Sequence, residues 1–306
     1  MDRVTAGCGR GRDRLKRATG VASLALLIWW FAPGTSLPAE YRRDGPFVGK
    51  RQTCRAGSDD SLPEIARRYD VGFDAMTAAN PGVDPFVPEP RRRIVIPTRW
   101  ILPDVALRRG LVINLAEMRL YRFPGRGSRT VTTFPVGIGD EGSETPVGTF
   151  RVIEKIVHPA WHVPESIRKA EPGLPAVVPP GPDNPMGSRA LRLSLGTILI
   201  HGTNRPWGIG TRDSHGCIRL YEEDIVRLFR SVDRGTPVTI VNQPVKAAAR
   251  AGRVYVQVHD YGDGADLYAP ALRVLDAKGL AGRVDLRKLA EAVRERSGLL
   301  VDISRR

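Results

Sequence analysis

The side chains best suited to chemistry lie close together. His201, His215 and Cys217 fall within 17 positions, in a stretch that opens Ile200-His-Gly-Thr-Asn and closes Ser214-His-Gly-Cys-Ile-Arg219. A cysteine is a strong nucleophile only as the thiolate, so it needs a neighbouring base or positive charge. His201 and His215 are both candidates for that base. Gly216, directly before Cys217, lets the backbone pass close to a substrate and turn N–H groups toward a developing oxyanion. Taken singly, a cysteine is more often a small buried hydrophobe and a histidine a core residue. The combination points to nucleophilic catalysis by a thiol.

A second pair, His158 and His162, has the four-residue spacing that puts two ligands on one helical face. Pro159 between them and Pro164 after them argue against a helix, and no Glu adjoins the first His to act as a base. No metal site and no cofactor are therefore expected. Trp161 and His162 read instead as part of a substrate-facing loop or its packing.

The elements that must position these groups are mostly short β runs broken by Gly and Pro. Leu111–Phe123 reads as two strands joined by a tight turn, with further strands at 131–139, 151–157 and 197–202. The Pro-rich segment 159–187 is too irregular for regular structure and too long for a plain connection, as lids and binding walls often are. An amphipathic helix is expected over 224–232, directly after the reactive cluster. Upstream, residues 49–98 read as strand, helix, helix, strand, with Ser61 starting the first helix and Asn80-Pro-Gly82 stopping the second. Cys54 falls on the first of those strands. Near the end, 254–259 alternates like a strand, and 285–297 is a helix capped by Asp285 and stopped by Gly298.

The first 39 residues read as an export signal. Six Lys or Arg precede the 12-residue apolar run Val21–Ala32, which is followed by a small, turn-prone stretch. That run is short of the ~20 residues a membrane-crossing helix needs, so a cleaved leader is expected over an uncleaved inner-membrane anchor. Removing residues 1–39 also removes Cys8 and lowers the formal net charge from +14 to +10. The remainder stays basic but carries no nucleic-acid motif, and an exported basic protein meets anionic lipid and wall polymers, so no nucleic-acid partner is expected. Two cysteines, Cys54 and Cys217, are too few for a disulfide framework, so either they pair once or one is kept free for chemistry.

Ser-His-Gly-Cys preceded by His-Gly on a β run resembles the motif of the YkuD-type L,D-transpeptidases, and every reactive position of it is filled here. The resemblance continues through Gly110–Tyr121, Pro135-Val-Gly-Ile-Gly, Thr145-Pro-Val-Gly-Thr-Phe and Pro175–Gly187, and is similar to the periplasmic ErfK/YbiS branch. Residues 49–98 resemble a LysM module, although its usual Gly-Asp-Thr turn reads Gly57-Ser-Asp59. The resemblance implies a mainly β fold: a YkuD-like β-sandwich catalytic domain (99–243), a small LysM-like α+β module before it (40–98) and a small α/β piece after it (244–306). It also implies Cys217 as nucleophile, His201 as proton donor and acceptor and His215 as support, with Gly202, Ser214, Gly216, Arg219 and Trp161 at the substrate. Many relatives have Asn where this chain has Arg219.

The reaction so implied is acyl transfer on peptidoglycan stem peptides in the periplasm. The thiolate forms a thioester with the third stem residue, releases D-Ala, and passes the acyl group to an amine. That amine belongs to another stem, giving a 3-3 cross-link, or to the C-terminal lysine of an outer-membrane lipoprotein; the LysM-like unit would either contact glycan or be a packing module that merely supports the next domain. Two alternatives remain open at this point. Water could resolve the thioester, making the protein an amidase or carboxypeptidase, or the chain could be a non-enzymatic wall-binding protein.

Overall fold

A computed structural model describes residues 39–306 of the chain, apart from 107, 126, 263 and 306. The expected leader lies outside the described residues, except Ala39. That residue opens β1 (Ala39–Arg42), which is followed by β2 (Phe47–Gly49), β3 (Gln52–Arg55), α1 (Leu62–Arg68), α2 (Phe73–Ala78), β4 (Arg93–Ile96) and β5 (Arg99–Ile101). The strand-helix-helix-strand order expected for 49–98 is present: β3 pairs antiparallel with β4, and α1 and α2 lie between them in sequence. Ser61 and Glu64 form a reciprocal capping box that fixes the start of α1. Leu62, Ile65, Met76, Ile94 and Ile96 close a core of their own, with Cys54 buried among them. Asn80 ends α2 and ties it to β4: its amide donates to Met76 O and Val95 O, both at 2.8 Å, and accepts from Val95 N.

The central unit runs through β6 (Gly110–Asn114), β7 (Arg119–Phe123), β8 (Thr130–Pro135), β9 (Ile138–Gly139), β10 (Gly148–Val157), β11 (Trp161–His162), α3 (Glu165–Ala170), β12 (Val177–Val178), β13 (Arg189–Leu193), β14 (Leu199–His201), β15 (Arg212–Ser214), β16 (Ile218–Arg219), α4 (Glu222–Ser231) and β17 (Pro237–Val241). Nine strands form one mixed sheet in the order β1-β8-β7-β6-β17-β10-β13-β14-β16. The long β10 is its spine. Its first half pairs with β17 and its second half with β13, with a register shift between Val152 and Glu154. A bulge of this kind bends a strand. The two halves of the sheet and α4 accordingly share one core, from Leu111, Phe134 and Ile240 to Leu191, Ile200, Ile218 and Leu228. The fold is mainly β, as expected. Helix α4 begins two residues earlier than the apolar spacing suggests, because Glu222, Glu223 and Asp224 fill its first turn, where the helix dipole favours acids.

Two details differ from the sequence reading. Ala39–Arg42 does not join the front module: it pairs with β8 and forms the edge of the central sheet. The Pro-rich segment 159–187 is not wholly irregular, since it holds the β11–β12 ribbon and the single-turn-scale α3.

The last unit comprises β18 (Val245–Arg250), β19 (Arg253–Val258), α5 (Tyr268–Ala277), α6 (Leu286–Glu295) and β20 (Val301–Asp302), with the strands ordered β18-β19-β20 and both helices on their shared core. Asp285 caps α6 by accepting from Arg287 N at 2.9 Å. Helix α5 went unread in the sequence because Pro270 interrupts the pattern, yet a proline in the first turn removes no helical hydrogen bond. Among the described residues no helix is long and apolar enough to cross a membrane.

A buried polar knot joins the last unit to the central one. Lys246 Nζ on β18 donates to Glu117 Oε2 at 2.5 Å and to Ile101 O at 2.6 Å, while Tyr121 and Asn114 donate to the same carboxylate at 2.9 Å. Burial opposes the charge on Glu117, but Lys246 and His259 outweigh it and hold its carboxyl below the usual range. Removing one member strands the other's charge. Lys246→Met is therefore expected to cost about 3–5 kcal/mol of unfolding free energy. Urea titration checks this, and a loss under ~1 kcal/mol would show the knot to be dispensable.

Candidate functional site

The site is built where β14 and β16 lie side by side. They pair in parallel, Ile200 opposite Ile218 and His201 opposite Arg219, so Cys217, one position before β16, stands level with Leu199. Side chains two apart on a strand share a face. Cys217 and His201 accordingly open onto one cavity of about 580 Å³, together with His215, Ser214, Arg219, Trp161 and His162. Gly202 and Gly216, expected at the substrate, do not line it.

The turn that presents Cys217 is held at three points. Gly216 has φ +93°, a conformation open to glycine and strained for other residues, and a Cβ there would lie 3.3 Å from Ile198 Cδ1. Ser214 Oγ donates to Cys217 O at 2.6 Å. Thr145 Oγ1 donates to Gly216 O at 3.0 Å and accepts from Gly139 N at 3.0 Å. Nothing in the sequence gave Thr145 that role.

His201 is buried, 5% exposed. Its Nδ1 lies 2.7 Å from Gly202 O. A carbonyl only accepts, so Nδ1 carries the proton and Nε2 keeps the free lone pair a base requires. Burial is the largest influence on the ring. It outweighs the carbonyls of Gly202 and Met186 and, with the charge of Arg219, lowers the pKa to about 4. Burial also pushes the Cys217 thiol up, against a hydrogen bond from the Leu199 backbone and the charge of Arg192. The thiol donates to Thr197 O at 3.8 Å. A reactive thiol calls for a neighbour that lowers its pKa; burial instead disfavours the charged form of both groups. Cys217 is a free thiol, so a pairing with Cys54 is absent.

Arg219 is half-buried between two glycines. A Cβ at Gly208 would come within 2.8 Å of its guanidinium and one at Gly137 within 3.3 Å. It pairs with Asp213 and donates to Gly208 O at 3.3 Å. Burial, then the charge of Arg205, lowers its pKa to about 10, which leaves it cationic at neutral pH. His215 is exposed at the rim.

The outer wall is the Pro-rich segment. Trp161 and His162 pair with Val178 and Val177, and buried Asn184 stitches the wall by donating to Pro159 O, Val178 O and Pro179 O at 3.0–3.2 Å. His158 and His162 do not share a helical face: His158 has φ +50° at the end of β10, and His162 lies on β11. Among the described residues no group of three or more His, Cys, Asp or Glu is arranged to hold a metal ion.

The sequence reading also missed Glu222. Its carboxylate accepts from Ser188 N at 3.1 Å and packs against Gly187 and Gly202, where any Cβ would collide with it. Helix α4 thereby anchors the backbone carrying the Gly202 carbonyl that orients His201.

Residues 108–240 match the YkuD L,D-transpeptidase catalytic domain. The probable L,D-transpeptidase YcfS of Escherichia coli K12 is 43% identical over 260 residues, covering 80% of this chain and 81% of the relative. The probable L,D-transpeptidase YbiS of the same strain is 40% identical over 308 residues, covering 95% and 99%. The probable L,D-transpeptidase ErfK/SrfK of Salmonella typhimurium is 39% identical over 297 residues, covering 91% and 94%. With similarity of this extent, and with a cysteine and a histidine facing one cavity on paired strands, the chain belongs to the YkuD-type L,D-transpeptidase family.

Proposed function

We propose that this enzyme acts on peptidoglycan stem peptides, with Cys217 as nucleophile and His201 as proton acceptor and donor. The observation that carries the reading is the opening of the Cys217 thiol and the His201 ring onto one cavity from adjacent parallel strands. Sγ attacks the carbonyl carbon of the third stem residue while its proton passes to Nε2 of His201. Backbone N–H groups of the Gly216 turn receive the oxyanion. Collapse breaks the C–N bond, the departing D-Ala amine takes the proton from His201, and a thioester remains. An acceptor amine then attacks the thioester, loses a proton to His201, and the thiol is restored.

Arg219, Arg205 and Arg192 give the cavity cationic groups for the carboxylates of a stem peptide. Trp161 supplies a flat wall, and His215 supports the rim. Ser214, Gly216 and Gly202 hold the backbone around the two reacting groups. The units 40–98, 99–243 and 244–306 serve as a LysM-like glycan-contacting module, the catalytic domain and a supporting piece. The basic and apolar residues 1–39 would direct the chain to the periplasm.

Two amines fit the acceptor: one on another stem and the C-terminal lysine of an outer-membrane lipoprotein. Purified tetrapeptide muropeptide, incubated with and without a peptide ending in lysine, decides between them. We expect an amine-linked product in at least one mixture. Release of free tripeptide alone would move the assignment to hydrolysis.

A further inference from the structure

The front module touches the central unit at several places, among them Arg119 Nη2, which donates to Asp70 O at 2.9 Å, and two of these contacts bracket the reactive segment. At one end, the start of α2 lies on the loop 208–210: Phe73 N donates to Ile209 O at 3.0 Å and Asp74 N to Gly210 O at 3.1 Å. The backbones are so close that a Cβ on Gly72 would sit 2.7 Å from Gly210 Cα. Gly72 has φ −80°, which any residue adopts, so glycine is required there for space and not for conformation. Gly210 N in turn donates to Val136 O at 3.2 Å, which leaves the loop held from both sides.

At the other end, Arg67 on α1 grips Glu223 with two hydrogen bonds of 2.8 Å and lies over the Tyr221 ring. Tyr221 donates back to Val71 O at 3.3 Å. Between these contacts run Asp213, Ser214, His215, Cys217 and Arg219. The connection to Arg219 is direct, since its guanidinium donates to Gly208 O in the clamped loop.

We propose that the front module is a positioning element for the reaction: Gly72 and Arg67 hold the two ends of the segment 208–223 and so set where Arg219 and Cys217 stand in the cavity. This rests on the roles proposed above for those two residues. It adds to the module a task that needs no glycan. A catalytic group displaced by about 1 Å costs up to ~100-fold in rate, so a small separation of the two backbones is enough to be felt.

The test uses full-length protein and a sugar-free tetrapeptide donor, to which glycan capture cannot contribute. Gly72→Ala is expected to lower kcat/KM on the order of tenfold, mostly through a higher donor KM, because the displaced loop carries the Gly208 contact of Arg219. Arg67→Glu, facing Glu223, is expected to lower it several-fold, and Arg67→Glu/Glu223→Arg to restore most of the loss. If Gly72→Ala does not fold, the charge-swap series decides alone. Wild-type kcat/KM in the folded Gly72→Ala and Arg67→Glu variants would overturn the proposal, as would losses confined to glycan-bearing donors. Cys217→Ala, assayed alongside, separates the two claims. If it is active, the nucleophile assignment fails; if it is inactive while Gly72→Ala behaves as wild type, only the positioning role fails.

Discussion

Cys217→Ala is expected to abolish formation of any acyl-enzyme while leaving the fold intact. The fold should survive because Cys217 lies outside the shared core of the central unit, and the contact of its thiol to Thr197 O is a weak 3.8 Å one. The turn around it is held by Ser214 and Thr145 through backbone carbonyls, which alanine retains. Activity should vanish because the hydroxyls close to the turn, those of Ser214 and Thr145, are committed to Cys217 O at 2.6 Å and Gly216 O at 3.0 Å. Acylation followed by intact-protein mass, with the thermal midpoint as the control for folding, checks both halves. An adduct on the folded Cys217→Ala protein would refute the assignment.

His201→Ala should slow acylation by about 10²- to 10⁴-fold, the usual contribution of a positioned general base. The pH profile adds a sharper test. The neutral ring is the active form, and burial lowers its pKa to about 4, so the base is lost only as pH falls through about 4. Wild-type kcat/KM should therefore stay level across the range where an ordinary histidine titrates, near 6.5, and fall below about 4. Removing His201 should remove that acid limb. Wild-type acylation rates in His201→Ala would shift the base role to the exposed His215.

Much of the site was legible because its reacting groups are close in sequence. His201-Gly and Ser214-His-Gly-Cys announce themselves through residue types that have few uses together, and the helix after them shows in its apolar spacing. The supporting residues were not legible, for a physical reason. Asn184, Thr145 and Glu222 work by reaching backbone groups far along the chain, and locally they look like a turn residue, a loop hydroxyl and one of three acids in a helix's first turn. The same limit explains β1. The four residues Ala39–Arg42 carry no mark of the strand about 90 positions on that they pair with. The electrostatics of the site also had to come from burial: the sequence calls for a base or charge beside the thiol, and only the burial of His201 and Cys217 shows that the charged form of each is disfavoured.

The central claim is that the acyl group is carried by the Cys217 sulfur. It is tested most directly by quenching wild-type enzyme with a tetrapeptide donor in acid, digesting it, and mapping the mass shift by tandem mass spectrometry. The account predicts a single adduct on the peptide containing Cys217, equal to the donor less its terminal D-Ala and released by hydroxylamine as a thioester is. Cross-linked product formed with no adduct at Cys217, or with the acyl group on another residue, would contradict it.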